Sequence, residues 1–328
     1  MPITEETAGT LRPELTQIVN EYDVTLAEQM FIGLDVAPIF ESEVDAGTYP
    51  IYKRENLLQA PETSRRENGG YNRVDTELDG STFQCEDHGL EHPIGDSEAK
   101  KYGRYMDLES AAAVRMWYQL RLAHERRVAA LVNTNCTTGA AAATNWATIA
   151  NATPISDIAT RGLALEQRCG VPVEGQTLVC TNTTFTYLKN NASILDRIKY
   201  TAREVGDQRL AVQRRLIADA LGVRDVLVGK GGYNTKNKGV APSLSSIWSD
   251  TYGWLTVLAP AASPNDLKIP CVARTILWTA DSPSVPVIET YRDESVRGNV
   301  VRVRMNVDEV IPASDADIFA ERITIGGS

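Results

Sequence analysis

Histidine is the scarcest of the chemically versatile side chains here, with three in 328 residues, at positions 88, 92 and 124. Five cysteines, Cys85, Cys136, Cys169, Cys180 and Cys271, are an odd number without CxxC spacing. That excludes the common zinc-ribbon and disulfide-framework patterns and reads as reduced thiols in a cytoplasm. No apolar run resembles a signal peptide and none is long enough to span a bilayer, so no membrane partner is expected. Without secretion the Asn-x-Ser/Thr sequons at Asn135, Asn151, Asn182 and Asn191 carry no weight. There is no GxSxG, no HExxH and no repeat of 20–50 residues. The Gly229–Asn234 stretch, GKGGYN, lacks the GxxxxGK[ST] order and reads as a flexible inter-strand loop. Cys85, His88 and His92 have a superficial zinc spacing, yet histidines four apart converge only on a helix, and Gly89 and Pro93 argue against one. No catalytic, cofactor or metal site is expected. Basic charge is also short: the net charge is −10, so the surface as a whole does not attract nucleic acid.

What is present is organised around Asp107–Asn133. This stretch holds no Gly or Pro and is dominated by good helix formers. Asp107 is placed to cap it, and Glu109 sits beside the positive end of the helix dipole. Ala113, Trp117, Leu120, His124, Val128 and Leu131 recur at three- and four-residue spacing and mark one packing face, with His124 partly buried. Arg115, Arg121, Glu125, Arg126 and Arg127 fall largely elsewhere, and the arginines are expected to make intersubunit or solvent pairs. About 27 residues at 1.5 Å each give a rod of roughly 40 Å, which reads as a spine.

Residues 1–22 are polar and read as an arm that orders against a neighbour more than as core. Val24–Phe40 packs apolar residues closely and reads as a docked segment broken at Gly33. Thr48–Lys53 and Gly70–Asp75 look like strands flanking a solvated tip, QAPETSRRENGG, and so predict a long two-stranded arm. Residues 81–86 and 88–94 look extended. After the spine, the small polar run containing Gly139 and Trp146 reads as a surface connection. Helices at 155–169, 183–189, 192–200 and 207–221 alternate with strands at 177–180 and 224–229, which predicts an α/β unit. Residues 285–292 and 300–307 predict closing antiparallel strands.

Three stretches, VAPIFESEVDAGTYPIYKRENLL, TFTYLKNNASILDRIKY and ETYRDESVRGNVVRVRMNVDEVIP, together with the order of the parts, resemble the major capsid proteins of tailed bacteriophages. The resemblance implies an α+β chain of the Hong Kong 97-type capsid fold. In its terms, 1–45 is an N-terminal arm and docking segment, 46–96 the extended E-loop hairpin, and 97–150 a P-domain carrying the spine. Residues 151–280 become the α/β A-domain and 281–328 the C-terminal strands of the P-domain. It further implies pentamers and hexamers forming an icosahedral head around double-stranded DNA, in a virion assembled in a bacterial cytoplasm. Partners would be the chain itself, a scaffolding protein, a portal, an optional decoration protein, and DNA held without sequence specificity. Because the arm starts almost at once, a separate scaffold is implied unless the chain is already processed. The lysine–asparagine crosslink of some members is not carried onto Lys53, Asn299 or Asn306.

On this reading the arm is the contact element, since permanent interfaces bury about 2,000–5,000 Å² and extended arms reach such areas. Tyr49, Ile51, Tyr52, Leu57, Leu58 and Tyr71 are the expected anchors, with Arg54, Arg65, Arg66 and Arg73 pairing with acidic neighbours. Residues Lys230–Ser246 are expected near a ring axis. The alternatives are an encapsulin-like shell holding cargo enzymes and an unrecognised α/β enzyme.

Overall fold

The computed structural model describes residues 10–26, 30–52, 60–65, 67, 69–73, 78–103, 105–201, 210–237, 239–259, 271–313 and 315–326. Strand β1 (Thr10–Leu11) leads into α1 (Pro13–Leu26), and a short α2 (Gly33–Val36) precedes β2 (Ile39–Ser42). Strands β3 (Ala46–Tyr52) and β4 (Leu78–Gln84) form a hairpin in register from Ala46↔Gln84 to Tyr52↔Leu78. Strand β5 (Glu86–Gly95) and α3 (Asp96–Tyr102) then reach the long helix α4, Leu108–Asn135.

Helix α4 spans 28 residues and starts where its chemistry says it should. Asp107 is extended (φ −76°, ψ 106°), and its carboxylate accepts the backbone N–H groups of Glu109 and Ser110, which have no partner inside the helix. At the other end the Cys136 N–H closes on the Val132 carbonyl.

Two sheets flank this helix. The first runs β1–β13–β14–β12–β2, with β12 at Arg274–Trp278, β13 at Val287–Asp293 and β14 at Gly298–Val310. One edge of β14 takes β13 and then β12, end to end, while β5 pairs along its other edge from Gly298↔Gly95 to Val307↔Glu86. Strand alternation sends Val301, Val303, Met305 and Val307 into a core with Met116, Trp117 and Leu120 of α4. Arg302 and Arg304 point the other way and pair with Glu91, Glu289 and Asp281.

The second sheet runs β6–β15–β11–β7–β8. Its strands are β6 (Gly139–Ala141), β7 (Thr177–Thr181), β8 (Asp225–Gly229), β11 (Tyr252–Thr256) and β15 (Ala320–Thr324). Helices α5 (Pro154–Cys169), α6 (Asn182–Asn190), α7 (Ala192–Thr201) and α8 (Leu210–Leu221) accompany it. Leu178, Cys180, Val226 and Leu255 face Leu165, Leu188 and Ile217 of these helices. The alternate residues Val179, Leu227 and Trp254 pack on Val128, Ala129 and Val132 of α4. The first half of the long helix therefore covers one sheet and its second half the other. A small hairpin, β9 (Gly232–Asn234) with β10 (Leu244–Ser246), occupies the stretch read from sequence as a loop. Among the described residues no helix is long and apolar enough to cross a membrane.

Three expectations need correction. Residues 70–73 are not in a strand; the return strand of the hairpin is Leu78–Gln84, because Asp79 and Gly80 disguise it with poor strand formers. The N-terminal stretch enters the chain's own core, since Leu15 and Val19 of α1 are buried beside Ala113 and Ile288. Trp146 is 1 % exposed, and its indole N–H donates to Asp157 at 2.9 Å, so the connection after α4 is anchored.

Candidate assembly interface

The hairpin is rooted in the body, and most of the described residues beyond its root are exposed. Tyr49, Ile51 and Phe83 are buried against Ile276 and Val310. The Tyr49 hydroxyl donates to the Ile311 carbonyl at 2.9 Å, and the Gln84 N–H donates to Asp308 at 3.0 Å. Tyr49 and Ile51, expected to face a neighbour, thus hold the hairpin to its own chain. The reason is that they lie at its base, where inward-facing positions meet β12 and β14.

Farther out, Arg65, Tyr71 and Arg73 are exposed. The Arg65 guanidinium lies 4.4 Å from the Tyr71 ring centroid and donates to the Gly69 carbonyl at 2.6 Å, while Asn72 donates to the Glu62 carbonyl at 2.7 Å. These contacts pre-shape part of the tip while leaving Tyr71 79 % exposed. The side chain of Tyr52 and all of Arg54, Leu57, Leu58, Arg66 and Lys53 lie outside the described residues.

A second exposed region borders α4. Tyr102, Tyr105 and Met106 are large and exposed, and Met106 helps line an open groove of about 590 Å³ between β5 and the first half of α4. Leu90, Ile94, Leu108 and Met116 supply its apolar wall and Arg115 a charge.

Between the two sheets lies a buried polar joint that the sequence reading missed. Glu125 is 1 % exposed. Its Oε1 accepts the Ile32 N–H at 3.1 Å and the Trp248 indole N–H at 2.6 Å, and its Oε2 accepts the Gly33 N–H. Burial raises its pKa above the ordinary carboxylate value, against the pull of these donors. Adjacent His124 is held neutral, its pKa lowered by burial to about 4. The Thr275 hydroxyl donates to the Ala37 carbonyl at 2.9 Å, so its oxygen accepts from His124 Nε2 at 3.0 Å. The available signal was spacing: Glu125 follows Trp117 by eight residues and falls on the buried stripe.

Three of the four spine arginines contact groups inside the chain, and Arg115 is exposed. Arg127 pairs with Glu309, Arg126 stacks 4.3 Å from the Tyr233 ring, and Arg121 lies 5.9 Å from both Phe31 and Trp117. His88 and His92 sit on strand β5, and no group of three metal-binding side chains converges among the described residues.

No family profile and no curated sequence matches the chain. Solved structures do. A crystal structure of a phage-related protein from Bordetella bronchiseptica RB50 superposes with a TM-score of 0.68 at 16% identity, over 98% of this chain and 99% of that one. The mature capsid of bacteriophage PhiM1 gives 0.54 at 9% identity, over 89% and 86%. A virus-like particle from Pyrococcus furiosus gives 0.51 at 11% identity, over 95% and 96%. At such identities the likeness is one of fold, and the expected Hong Kong 97-type capsid fold is borne out across nearly the whole chain.

Proposed function

We propose that this chain is a structural virion protein that self-assembles into the pentamers and hexamers of an icosahedral bacteriophage head around double-stranded DNA. The observation that carries the reading is the nearly full-length agreement of architecture, with hairpin arm, bridging helix and two sheets all present. Solved examples with this architecture include a bacteriophage capsid and a virus-like particle.

The division of labour follows from exposure. The root of the hairpin is committed to its own chain, so contact with a neighbour falls to the exposed Arg65, Tyr71 and Arg73, joined on sequence grounds alone by Arg54, Leu57, Leu58 and Arg66. A preformed Arg65–Tyr71 stack loses less freedom on docking than two free side chains would. The β9–β10 hairpin, with Leu244 79 % exposed, is the corresponding candidate for contacts around a ring axis. Domain limits at 45, 96, 150 and 280, a scaffolding protein, a portal, a decoration protein and assembly in the bacterial cytoplasm belong to the same proposal. The net charge of −10 supports weak, non-specific contact with packaged DNA, because every neutralised phosphate strengthens binding.

Sedimentation velocity with electron microscopy, on the chain alone and with a co-expressed scaffold, tests this reading. Closed shells, tubes or free capsomers are expected. A monomer under every condition overturns it. Enzymes co-purifying inside closed shells in place of nucleic acid would replace the virion by a cargo compartment.

A further inference from the structure

We propose that Glu125 is a positioning residue that sets the angle between the two sheets, and that this angle selects the size of the particle the chain builds. The second half rests on the shell reading above; the first does not.

Val128, Ala129 and Val132 of α4 meet Val179, Leu227 and Trp254 across an aliphatic and aromatic surface. Such surfaces interdigitate but tolerate alternative packings, whereas buried hydrogen bonds are directional and costly to leave unmade. Directional contacts join the sheets directly where the Val272 N–H donates to the Val257 carbonyl at 2.9 Å, and several more gather on one stretch, Met30–Pro38. Its Ile32 and Gly33 N–H groups bind Glu125 of α4. Its Met30 carbonyl accepts the N–H of Lys230, which follows β8 of the five-stranded sheet, at 3.2 Å. Its Ala37 and Pro38 carbonyls accept the hydroxyl and N–H of Thr275 on β12 of the six-stranded sheet, at 2.9 and 3.1 Å. Trp248, just before β11, adds its indole N–H to the same carboxylate.

One stretch is thus stitched to both sheets and to the helix between them, and Glu125 is the group on which three of the donors meet. Rotating one sheet against the other breaks contacts on this carboxylate or on Thr275. Each part of the fit is specific. A Cβ on Gly33 would stand 2.5 Å from Glu125 Oε2, so only glycine leaves the carboxylate its place. Glutamine at 125 would keep one acceptor but turn an N–H₂ toward a backbone N–H. Closed shells need a defined angle between successive subunits, and a subunit whose two halves reorient freely does not define one.

The test uses Trp248→Phe, which keeps a smaller aromatic ring in the buried site and removes one donor, and Glu125→Gln, which removes the charge and one acceptor. Hydrogen exchange at the Ile32 and Gly33 amides is read in the unassembled chain, and particle diameter is read by electron microscopy after assembly. Exchange about tenfold faster than in the parent chain, with particles of shifted or broadened diameter, is expected. Lowered thermal stability with unchanged particle diameter overturns the proposal, because a purely structural role does only that. Unchanged exchange in the folded Trp248→Phe chain also overturns it, and this milder variant carries the test if Glu125→Gln does not fold. Should the parent chain build no particle, the shell reading fails, and exchange alone still decides whether Glu125 holds the joint.

Discussion

Arg127 on the long helix and Glu309 on β14 form a two-pronged ion pair, with Nη2 2.7 Å from Oε1 and Nε 2.9 Å from Oε2. His124 Nε2 stands 3.6 Å from the same Oε1, so a single carboxylate faces two residues of the helix one turn apart. Glu309→Gln leaves the Arg127 guanidinium without its charged partner in a partly buried setting. A loss of about 2 kcal/mol in unfolding free energy is expected from denaturant titration at neutral pH.

His124 makes stability depend on pH in a defined direction. Its pKa is lowered from 6.5 to about 4, so the folded chain favours the neutral ring. The stability this supplies is fully present above pH 6.5 and is lost as pH falls toward 4, with a ceiling of about 3 kcal/mol. Burial lowers the pKa of His88 as well and adds in the same direction. Glu125 works oppositely: its raised pKa contributes stability that is present below 4.5 and lost as pH rises through the raised value. His124→Gln, which can still donate to Thr275, should lose less stability between pH 6.5 and 4.5 than the parent chain. Equal losses in parallel denaturant titrations would sink this assignment.

The root and the tip of the hairpin should separate stability from assembly. Tyr49→Phe removes the hydroxyl that reaches Ile311 and is expected to cost about 1 kcal/mol. Tyr71→Ala, at an exposed position, should leave thermal unfolding within about 0.5 kcal/mol of the parent while lowering the yield of assembled particles. A Tyr71→Ala chain that assembles with unchanged yield removes this residue from the interface.

Trp146 should behave as core despite its loop-like surroundings. It packs in the cluster of Leu165, Leu178 and Ile323, and its N–H is satisfied by Asp157. Trp146→Ala is expected to cost about 3–5 kcal/mol by thermal or chemical unfolding, as for other large-to-small core changes. A cost below about 1 kcal/mol would return the segment to the surface.

By itself the sequence determined the pieces whose signals are local. The long helix was legible from Asp107 to the end of its apolar period, because a cap and a 3.6-residue repeat act within a few residues. Helices α5, α6 and α7, strands β7 and β8, and the alternation of Val301, Val303, Met305 and Val307 were readable for the same reason. What only the tertiary structure decided is partnership. Strand Leu78–Gln84 becomes a strand by pairing with Ala46–Tyr52, against the local preference of Asp79 and Gly80. Tyr49 and Tyr71 belong to the same predicted arm, yet one is core and the other surface, since burial depends on the β12 and β14 residues that reach the hairpin's base. Glu125 looks like any charged residue of a long helix until residues 93 positions before it and 123 after it bring their donors to its carboxylate. A buried charge is tolerated only where such distant groups converge, and that convergence is a property of the folded chain.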